Sequence, residues 1–480
     1  MNYISILNIL GWMTTIEGAF MLLPAGVALC YGEAEGVWFV ICGLLSALIG
    51  LVLIRIKRKS SHFYAREGNV AVALGWIVLS LIGALPFYLS GAIPSYVDAL
   101  FEIISGFTTT GASILTDVEA LSHCMLFWRS FSHWLGGMGV LVFAMTIMPL
   151  ADSGSSFAMI QAESTGPSVS KLVPHLRETA RNLYTIYLGL TVAETALLIL
   201  GGQSLFEALC YSFGTVGTGG FGLLNSSLGS FSTYIQVVIT VFMVLSGINF
   251  QFFFLLILRQ FSTAVRMEEV RWYLGIFGGT TVAIALNLTL TQGGNFFYQL
   301  QQSAFQTASI MTTTGYSTCN YETWPMFSKT LLLLLMFVGA CAGSTGGGMK
   351  VCRILIYVKA GVREARRVIH PRQVSAILLD GKALDRKVVQ GASMFLVCYL
   401  MIYVVSMVLI SFDCQDMTTC FTAVAATINN IGPGFGAVGP AENFAFFSPL
   451  SKLVLSFDML AGRLEVFPML LLCFPSTWRK

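Results

Sequence analysis

Charge is scarce in this 480-residue chain. Asp, Glu, Lys and Arg together make up 11% of it, against 55% hydrophobic residues, whereas a soluble domain carries about a quarter charged residues. That shortage excludes a soluble protein of this length. Apolar runs near 20 residues recur down the whole chain, each long enough to cross ~30 Å of hydrocarbon. Pairing motifs are missing as well. The eleven cysteines form no C-x-x-C, and Cys30, Cys42, Cys398 and Cys473 lie in apolar runs as small hydrophobes. No disulfide framework, metal site or cofactor is expected in this chain. No nucleophile–base or metal constellation is found, so the expectation is a protein that is not an enzyme. The N-terminus lacks a basic stretch followed by a cleavage site, so the first apolar segment is expected to remain as a span. Nothing calls for a nucleic-acid partner; the lipid bilayer is the solvent.

Lysine and arginine are missing from four connections, residues 111–123, 219–234, 315–326 and 434–451. They cluster instead in Arg55-Ile-Lys57-Arg58-Lys59, around Arg177 and Arg181, from Arg259 to Arg271, and from Lys350 to Lys387. By the positive-inside rule the basic connections face the cytoplasm and the bare ones face outward.

What the bare connections do contain is a repeated phrase, TTTGAS at 108–113 and TTTGYST at 312–318. Each phrase follows a segment of about 14 residues, roughly 21 Å of helix, too short to cross a bilayer. Such a segment reads as a re-entrant helix and loop, tolerated at membrane depth only where protein buries it or it lines a watery cavity. The unit of span, short helix, loop and span recurs four times. Its parts lie near 69–90, 96–110 and 124–150; 183–201, 203–216 and 232–258; 272–291, 300–314 and 326–358; and 388–411, 416–431 and 447–474. Two spans separate successive phrases, so the repeats are parallel and four of them can surround one axis.

The expected fold is an all-α polytopic membrane protein. Four span–pore helix–filter loop–span repeats follow two extra N-terminal spans, about ten spans in all, with both termini cytoplasmic. The divisions fall at 1–60 (two N-terminal helices), 61–155, 156–262, 263–360 and 361–480, the last including the basic cytoplasmic segment. The internal alignment pairs Phe101 with Phe305, each ten positions before Gly111 and Gly315. Phe206 and Phe421 are their counterparts in the looser second and fourth repeats, and there the key glycine is ambiguous by two or three positions. Glu102 and Glu207 sit at matching places early in two short helices, either as structural groups or as an attraction for cations.

A cation stripped of water needs replacement oxygens, and rings of backbone carbonyls supply them in selective pores. Glycine reaches the backbone angles such a ring needs, threonine adds a hydroxyl, and the negative end of each short helix faces the ion. The expected K⁺-binding positions are Thr109, Thr110 and Gly111; Thr218, Gly219 and Gly220; Thr313, Thr314 and Gly315; and Asn430, Ile431, Gly432 and Gly434. Two other glycine motifs lead nowhere. Gly217 to Gly222 spells G-x-G-x-x-G without a βαβ unit or the acidic residue that follows it. Gly343 to Lys350 only approximates a phosphate-binding loop, inside an apolar span.

That second stretch has another use. Gly343-Ser344-Thr345-Gly346-Gly347-Gly348 breaks the helix expected from Leu331 to Ala342 before it resumes at Met349, and one kink needs only a single Gly or Pro. Below the filter it is a mobile constriction. Arg463 belongs with it. If Lys452 marks the outer interface, eleven residues of helix place Arg463 roughly 16 Å deep, where a charge costs about 3 kcal/mol or more unless it meets a partner or a wet cavity. Asp458 and Glu465 do not share its face, so Arg463 points toward the pore axis as a barrier or a hold on the loop; an ion pair with a distant acid such as Glu194 is the other reading. His133, Trp134, Gly136, Gly137 and Gly139 read as helix packing. The run Lys359 to Arg367 reads as a topology signal or a docking surface.

The fourfold repeat, the two TTTG phrases, Thr218-Gly-Gly-Phe221, Asn429-Asn-Ile-Gly-Pro-Gly434 and the loop 343–348 together resemble the Trk/Ktr/HKT superfamily of potassium transporters over essentially the whole chain, closest to its bacterial TrkH branch. The resemblance implies K⁺ uptake across the bacterial inner membrane by a homodimer, each chain holding its own pore. It also implies gating by a separate cytoplasmic nucleotide-binding protein of the TrkA kind, and an arginine in the last helix at Arg463. In plant relatives serine at the first filter glycine goes with Na⁺; glycine at 111 implies K⁺. A proton- or sodium-coupled symporter on the same scaffold remains the alternative, with a membrane-embedded enzyme a remote one.

Overall fold

A computed structural model describes residues 1–56, 65–139, 176–372 and 376–478. Lys57, Arg58 and Lys59, the side chain of Arg177, the far end of the span expected to reach 150, and the divisions at 60 and 155 lie outside the described residues.

The described chain is helical apart from a two-residue ribbon pairing Leu378–Leu379 with Lys382–Ala383. It opens with α1 (Tyr3–Phe20) and α2 (Leu22–Tyr31), one apolar rod, and α3 (Gly36–Ile54) running back beside it. Glycines set that crossing. A Cβ on Gly18 would stand 2.4 Å from the Gly43 carbonyl, and one on Gly50 2.5 Å from that of Gly11. Only a missing side chain lets the two backbones approach so closely.

Four units follow. The first has α4 (Ala65–Gly83) and α5 (Leu85–Leu89), then short α6 (Tyr96–Phe107), then α7 (His123–Gly137). The second has α8 (Leu176–Leu200), short α9 (Leu205–Val216), then α10 (Thr233–Ser246) and α11 (Phe250–Ile257). After α12 (Phe261–Arg266), the third has α13 (Glu268–Gln292), short α14 (Phe296–Met311), α15 (Met326–Val338) and α16 (Val351–Ile369). The fourth has α17 (Arg386–Ile410), short α18 (Met417–Ile428), α19 (Pro449–Arg463) and α20 (Phe467–Cys473). Every short helix starts at a capping side chain, from Ser95, Ser204, Asn295 and Asp416, which satisfies an amide the first turn leaves bare. Among the described residues six helices are long and apolar enough to cross a membrane unaided, and α10 and α11 reach that length only when taken together across their bend. Their outer faces are greasy: Leu44, Leu48 and Val52 on α3, and Met401, Val404 and Val408 on α17, are all about half exposed.

The closing helices of the first, second and fourth units depart from the expected continuous spans, and that of the third breaks where expected but over a longer stretch. α10 and α11 meet at 91°. α19 stops at Arg463, and Glu465 and Val466 take positive φ before α20 begins. The break in the third unit runs from Gly339, with φ of +72°, to Lys350, also at +72°, so it starts earlier and ends later than Gly343–Gly348. In the first unit Gly139 turns to positive φ just after α7 ends. Packing explains why small residues precede these breaks. A Cβ on Gly136 would lie 1.8 Å from the Phe107 carbonyl, and one on Gly462 2.0 Å from that of Ile428. In the first and fourth units the closing helix thus presses a bare glycine against the end of a short helix.

Candidate functional site: a ring of four turns

All four short helices end alike. The second residue past each end, Thr109, Thr218, Thr313 and Asn430, has φ between +55° and +61°. The next residue donates its amide back to the third-last residue of the helix: Thr110 to Ser105 (2.8 Å), Gly219 to Gly214 (2.7 Å), Thr314 to Ser309 (2.9 Å) and Ile431 to Ala426 (2.8 Å). This is a Schellman-type ending built without glycine at its left-handed position. Left-handed backbone costs a side-chain-bearing residue roughly 1–2 kcal/mol, and such strain gathers at functional sites. One residue further, Gly111, Gly220, Gly315 and Gly432 again have positive φ, from +80° to +95°.

Those glycines close a ring. A Cβ on Gly111 would stand 2.1 Å from the Gly219 carbonyl oxygen, and one on Gly220 1.8 Å from that of Thr314. A Cβ on Gly315 would stand 2.0 Å from the Ile431 oxygen, and one on Gly432 2.7 Å from that of Thr110. The contacts run first to second, second to third, third to fourth and fourth to first. The turns therefore surround one axis in chain order, with no room for a side chain at any junction.

The geometry decides the two looser repeats. Gly220 and Gly432 occupy the ring position, and Gly219 and Ile431 the position before it. Gly434 stands outside the ring: its amide donates to the Val438 carbonyl at 2.7 Å and its Cα abuts Thr422. The helix ends also correct the alignment of the second and fourth units. Cys210 and Thr422, not Phe206 and Phe421, lie as far from their helix ends as Phe101 and Phe305 do. The match for Glu102 is Tyr211, while Glu207 belongs to an exposed capping box with Ser204.

A brace behind each turn went unseen in the sequence because four different side chains build it. Each holds the third residue after the ring glycine. Ile114 N donates to Glu102 Oε2 (3.0 Å), Leu223 N to Tyr211 Oη (3.4 Å) and Phe435 N to Thr422 Oγ1 (3.0 Å), while Gln306 Nε2 donates to Thr318 Oγ1 (3.3 Å). The first brace is charged. Glu102 and Arg129 form an ion pair at 2.8 Å, with side chains 0% and 2% exposed. Arg129 also donates to the Gly222 carbonyl at 3.2 Å and covers the Phe221 ring at 3.9 Å, which ties the first turn to the second. Removing one member would leave the other buried and uncompensated. His133, expected to serve packing, adds a clamp: its Nε2 accepts from Phe221 N at 3.2 Å, and its Nδ1 lies 2.8 Å from the Gly106 carbonyl oxygen.

The break between α15 and α16 lies against the ends of these turns. Gly347 N donates to Thr313 Oγ1 at 2.7 Å. Cβ atoms on Gly346 and Gly347 would lie 2.8 Å and 2.7 Å from the carbonyls of Thr312 and Asn429. Gly343 accepts from Phe250 N at 3.0 Å, and Thr345 Oγ1 donates to the Ser246 carbonyl at 3.2 Å, so this break and the one between α10 and α11 satisfy each other's backbone. Ser344 Oγ donates to Cys341 O at 2.6 Å. Gly348, with φ of +74°, packs against Gly339. Arg463, 8% exposed, donates to the carbonyls of Thr345 (2.7 Å) and Gly137 (2.8 Å), to that of Gly136, and to Thr109 Oγ1 (3.3 Å). It thus touches the loop, the first turn and the end of α7 together.

Four charged groups hold the loop through partners the sequence does not show. Lys350 donates to the Gly346 carbonyl, and Arg353 pairs with Glu465 while lying over Phe395. Glu269, on the first turn of α13, accepts from Ala342 N at 2.7 Å and from Cys352 N at 3.2 Å, so one carboxylate holds both shoulders of the loop. Isolated charges beside apolar runs were the available signal.

Four short helices joined through their glycines into one ring, carried on apolar helices, define the class: a polytopic helical membrane protein with four parallel repeats about an axis. The chain belongs to the TrkH family, described as cation transport proteins, whose model matches residues 37–479. It is 38% identical to the Trk system potassium uptake protein TrkH of Salmonella typhimurium and 37% identical to that of Escherichia coli, with all of both chains covered in each case. Its fold is similar to the crystal structure of the potassium transporter TrkH from Vibrio parahaemolyticus, with a TM-score of 0.89 and 35% identity over the full length of both chains. These relatives are named as transporters, not enzymes.

Proposed function

We propose that the chain carries potassium into the bacterial cytoplasm across the inner membrane, through a selectivity filter made by its four turns. The observation that carries this reading is the closed ring of glycines, each seated against the carbonyl of the next turn. Left-handed residues at every second position let each turn offer successive carbonyls to a dehydrated cation, and the braces keep their spacing when the ion moves. The short helices end at the ring, so their partial negative charge favours a cation beneath it. Thr109, Thr110, Thr218, Thr313, Thr314 and Asn430 supply further oxygens, and Gly111, Gly219, Gly220, Gly315, Ile431 and Gly432 supply backbone. The names of the relatives, potassium uptake proteins, fit a K⁺ filter.

In this reading the loop 343–348 is a closed gate. Arg463 and Lys350 hold its carbonyls and set positive charge in the path of a cation, in surroundings where charges act more strongly than in water. Opening withdraws the loop along α16. The basic cytoplasmic end of that helix, Lys359 to Arg367, is where a separate TrkA-type nucleotide-binding protein acts. Two copies form a dimer, each with its own pore, and the repeats divide near 60, 155, 262 and 360. The test is ion uptake into proteoliposomes of purified protein. Rb⁺ and K⁺ entry many-fold faster than Na⁺ is expected; equal entry of all three overturns the filter reading.

A further inference from the structure

Between the C-terminal half of α16 and the first turns of α17 lies a cavity of about 1030 Å³. Arg363, Arg367, Arg372 and Arg386 line it, and Glu364 is the one acid among the described residues of its wall. Glu364 is already engaged by Arg363 at 2.7 Å and Arg367 at 3.7 Å. Arg372 and Arg386 are exposed and make no ion pair among the described residues. The cavity therefore keeps a net positive charge with two guanidinium groups free to bind. Its chemistry changes along α17. Arg386 stands at the helix start, while Met394 and Val397 line the other end and are 56% and 52% exposed. Eleven residues separate Arg386 from Val397, roughly 16 Å of helix, so over about one leaflet's hydrocarbon depth a basic mouth gives way, past Gln390 and Ser393, to the apolar end of a trough, at Met394 and Val397.

We propose that this cavity binds the phosphodiester headgroup of an anionic phospholipid from the cytoplasmic leaflet, with its acyl chains running down the trough past Met394 and Val397. The cytoplasmic assignment of this end rests on the distribution of basic residues described above; the site is otherwise independent of the filter. Guanidinium forks match phosphate oxygens in geometry and charge, and basic pockets between spanning helices on the cytoplasmic side are suited to such headgroups. The apolar trough selects a lipid over free phosphate, which has no use for it. The continuity of charge and grease along one apolar spanning-length helix selects a lipid over an acidic segment of a soluble partner.

Native mass spectrometry of the delipidated full-length protein tests this. Phosphatidylglycerol, phosphatidylethanolamine and inorganic phosphate are titrated into wild type, the double variant Arg372→Gln/Arg386→Gln, and Arg372→Lys/Arg386→Lys. Both arginines are exposed, so the variants are expected to keep the size-exclusion profile of the wild type. Phosphatidylglycerol is expected to bind wild type in preference to phosphatidylethanolamine, to lose roughly tenfold or more in affinity in the glutamine variant, the scale of two basic contacts with an anionic lipid, and to recover much of it in the lysine variant. Unchanged phosphatidylglycerol affinity in the glutamine variant overturns the site. Displacement of the lipid by inorganic phosphate at comparable concentration overturns the lipid as its occupant. Loss of self-association in the glutamine variant with lipid binding intact assigns the cavity to a second copy instead.

Discussion

Arg463 and Thr345 join two broken helices beneath the ring: the guanidinium at the end of α19 donates to the Thr345 carbonyl at 2.7 Å, in the middle of the α15–α16 break. The same guanidinium reaches Thr109 in the first turn. The loop, the turn and the closing helix are thus one hydrogen-bonded unit. In the proposed gate, removing the charge is expected to free the loop and lower the electrostatic barrier together. Arg463→Ala is expected to raise resting Rb⁺ flux about tenfold, the effect of roughly 1.4 kcal/mol off a barrier. A folded Arg463→Ala that conducts no faster excludes the barrier role.

Glu269 reports on the same loop from the other side, because its carboxylate accepts both shoulder amides, Ala342 and Cys352. Glutamine keeps one acceptor oxygen and alanine keeps none. Resting flux is expected to rise in the order wild type, Glu269→Gln, Glu269→Ala, and deleting part of 343–348 is expected to exceed both. Flux that stays level across the series, in stably inserted protein, leaves the break as a passive kink.

The ring makes a graded prediction about selectivity. A new side chain meets a carbonyl at 2.0 Å on Gly315 but at 2.7 Å on Gly432. Gly315→Ser is expected to lower the Rb⁺ to Na⁺ flux ratio several-fold, and Gly432→Ser to do so least among the four ring positions. An unchanged ratio in folded Gly315→Ser removes that residue from the filter.

One carboxylate outside the spans gives a pH-dependent effect. Glu33, between α2 and α3, accepts from the amides of His123 (2.6 Å) and Cys124 (2.9 Å) and pairs with the His123 ring at 2.8 Å. Partial burial pushes its pKa up, but the amides of Cys124 and His123 and the imidazole outweigh it, and the carboxyl ends below its ordinary 4.5. A depressed carboxylate stabilises the fold above its unfolded pKa and loses that contribution as pH falls through the folded value. The thermal stability gap between wild type and Glu33→Gln is expected to be full at neutral pH and to close below about pH 4. A gap that persists in acid assigns Glu33 a role without its charge.

How legible all this was depends on which atoms do the work. Where glycine and threonine side chains recur in register, at 108–111 and 312–315, the sequence carries the turn directly. Where the backbone alone repeats, it does not: Gly220 and Gly432 emerge only from positive φ two residues beyond a left-handed Thr218 or Asn430. The braces were hidden for the same reason: Glu102, Tyr211 and Gln306 stand five residues before their helix ends and Thr422 six, and the four share no chemistry. The α10–α11 break was hidden because its flanks stay apolar and its backbone is satisfied by Cys341, Gly343 and Thr345, about a hundred residues away, whereas the α19–α20 break turns on local hydrogen bonds such as Val466 N to the Ala461 carbonyl. Arg129 and Glu269 were visible as charges, but their partners, Gly222 and Ala342, lie 93 and 73 residues along the chain.

The most direct measurement is to locate the ion itself, by anomalous diffraction from crystals of the protein grown in Rb⁺. The account predicts Rb⁺ density on the ring axis, coordinated by the carbonyls of Thr110, Gly219, Thr314 and Ile431, and its loss when Na⁺ replaces Rb⁺. Well-ordered turns with no density on the axis, and Rb⁺ bound elsewhere in the membrane region, would contradict it.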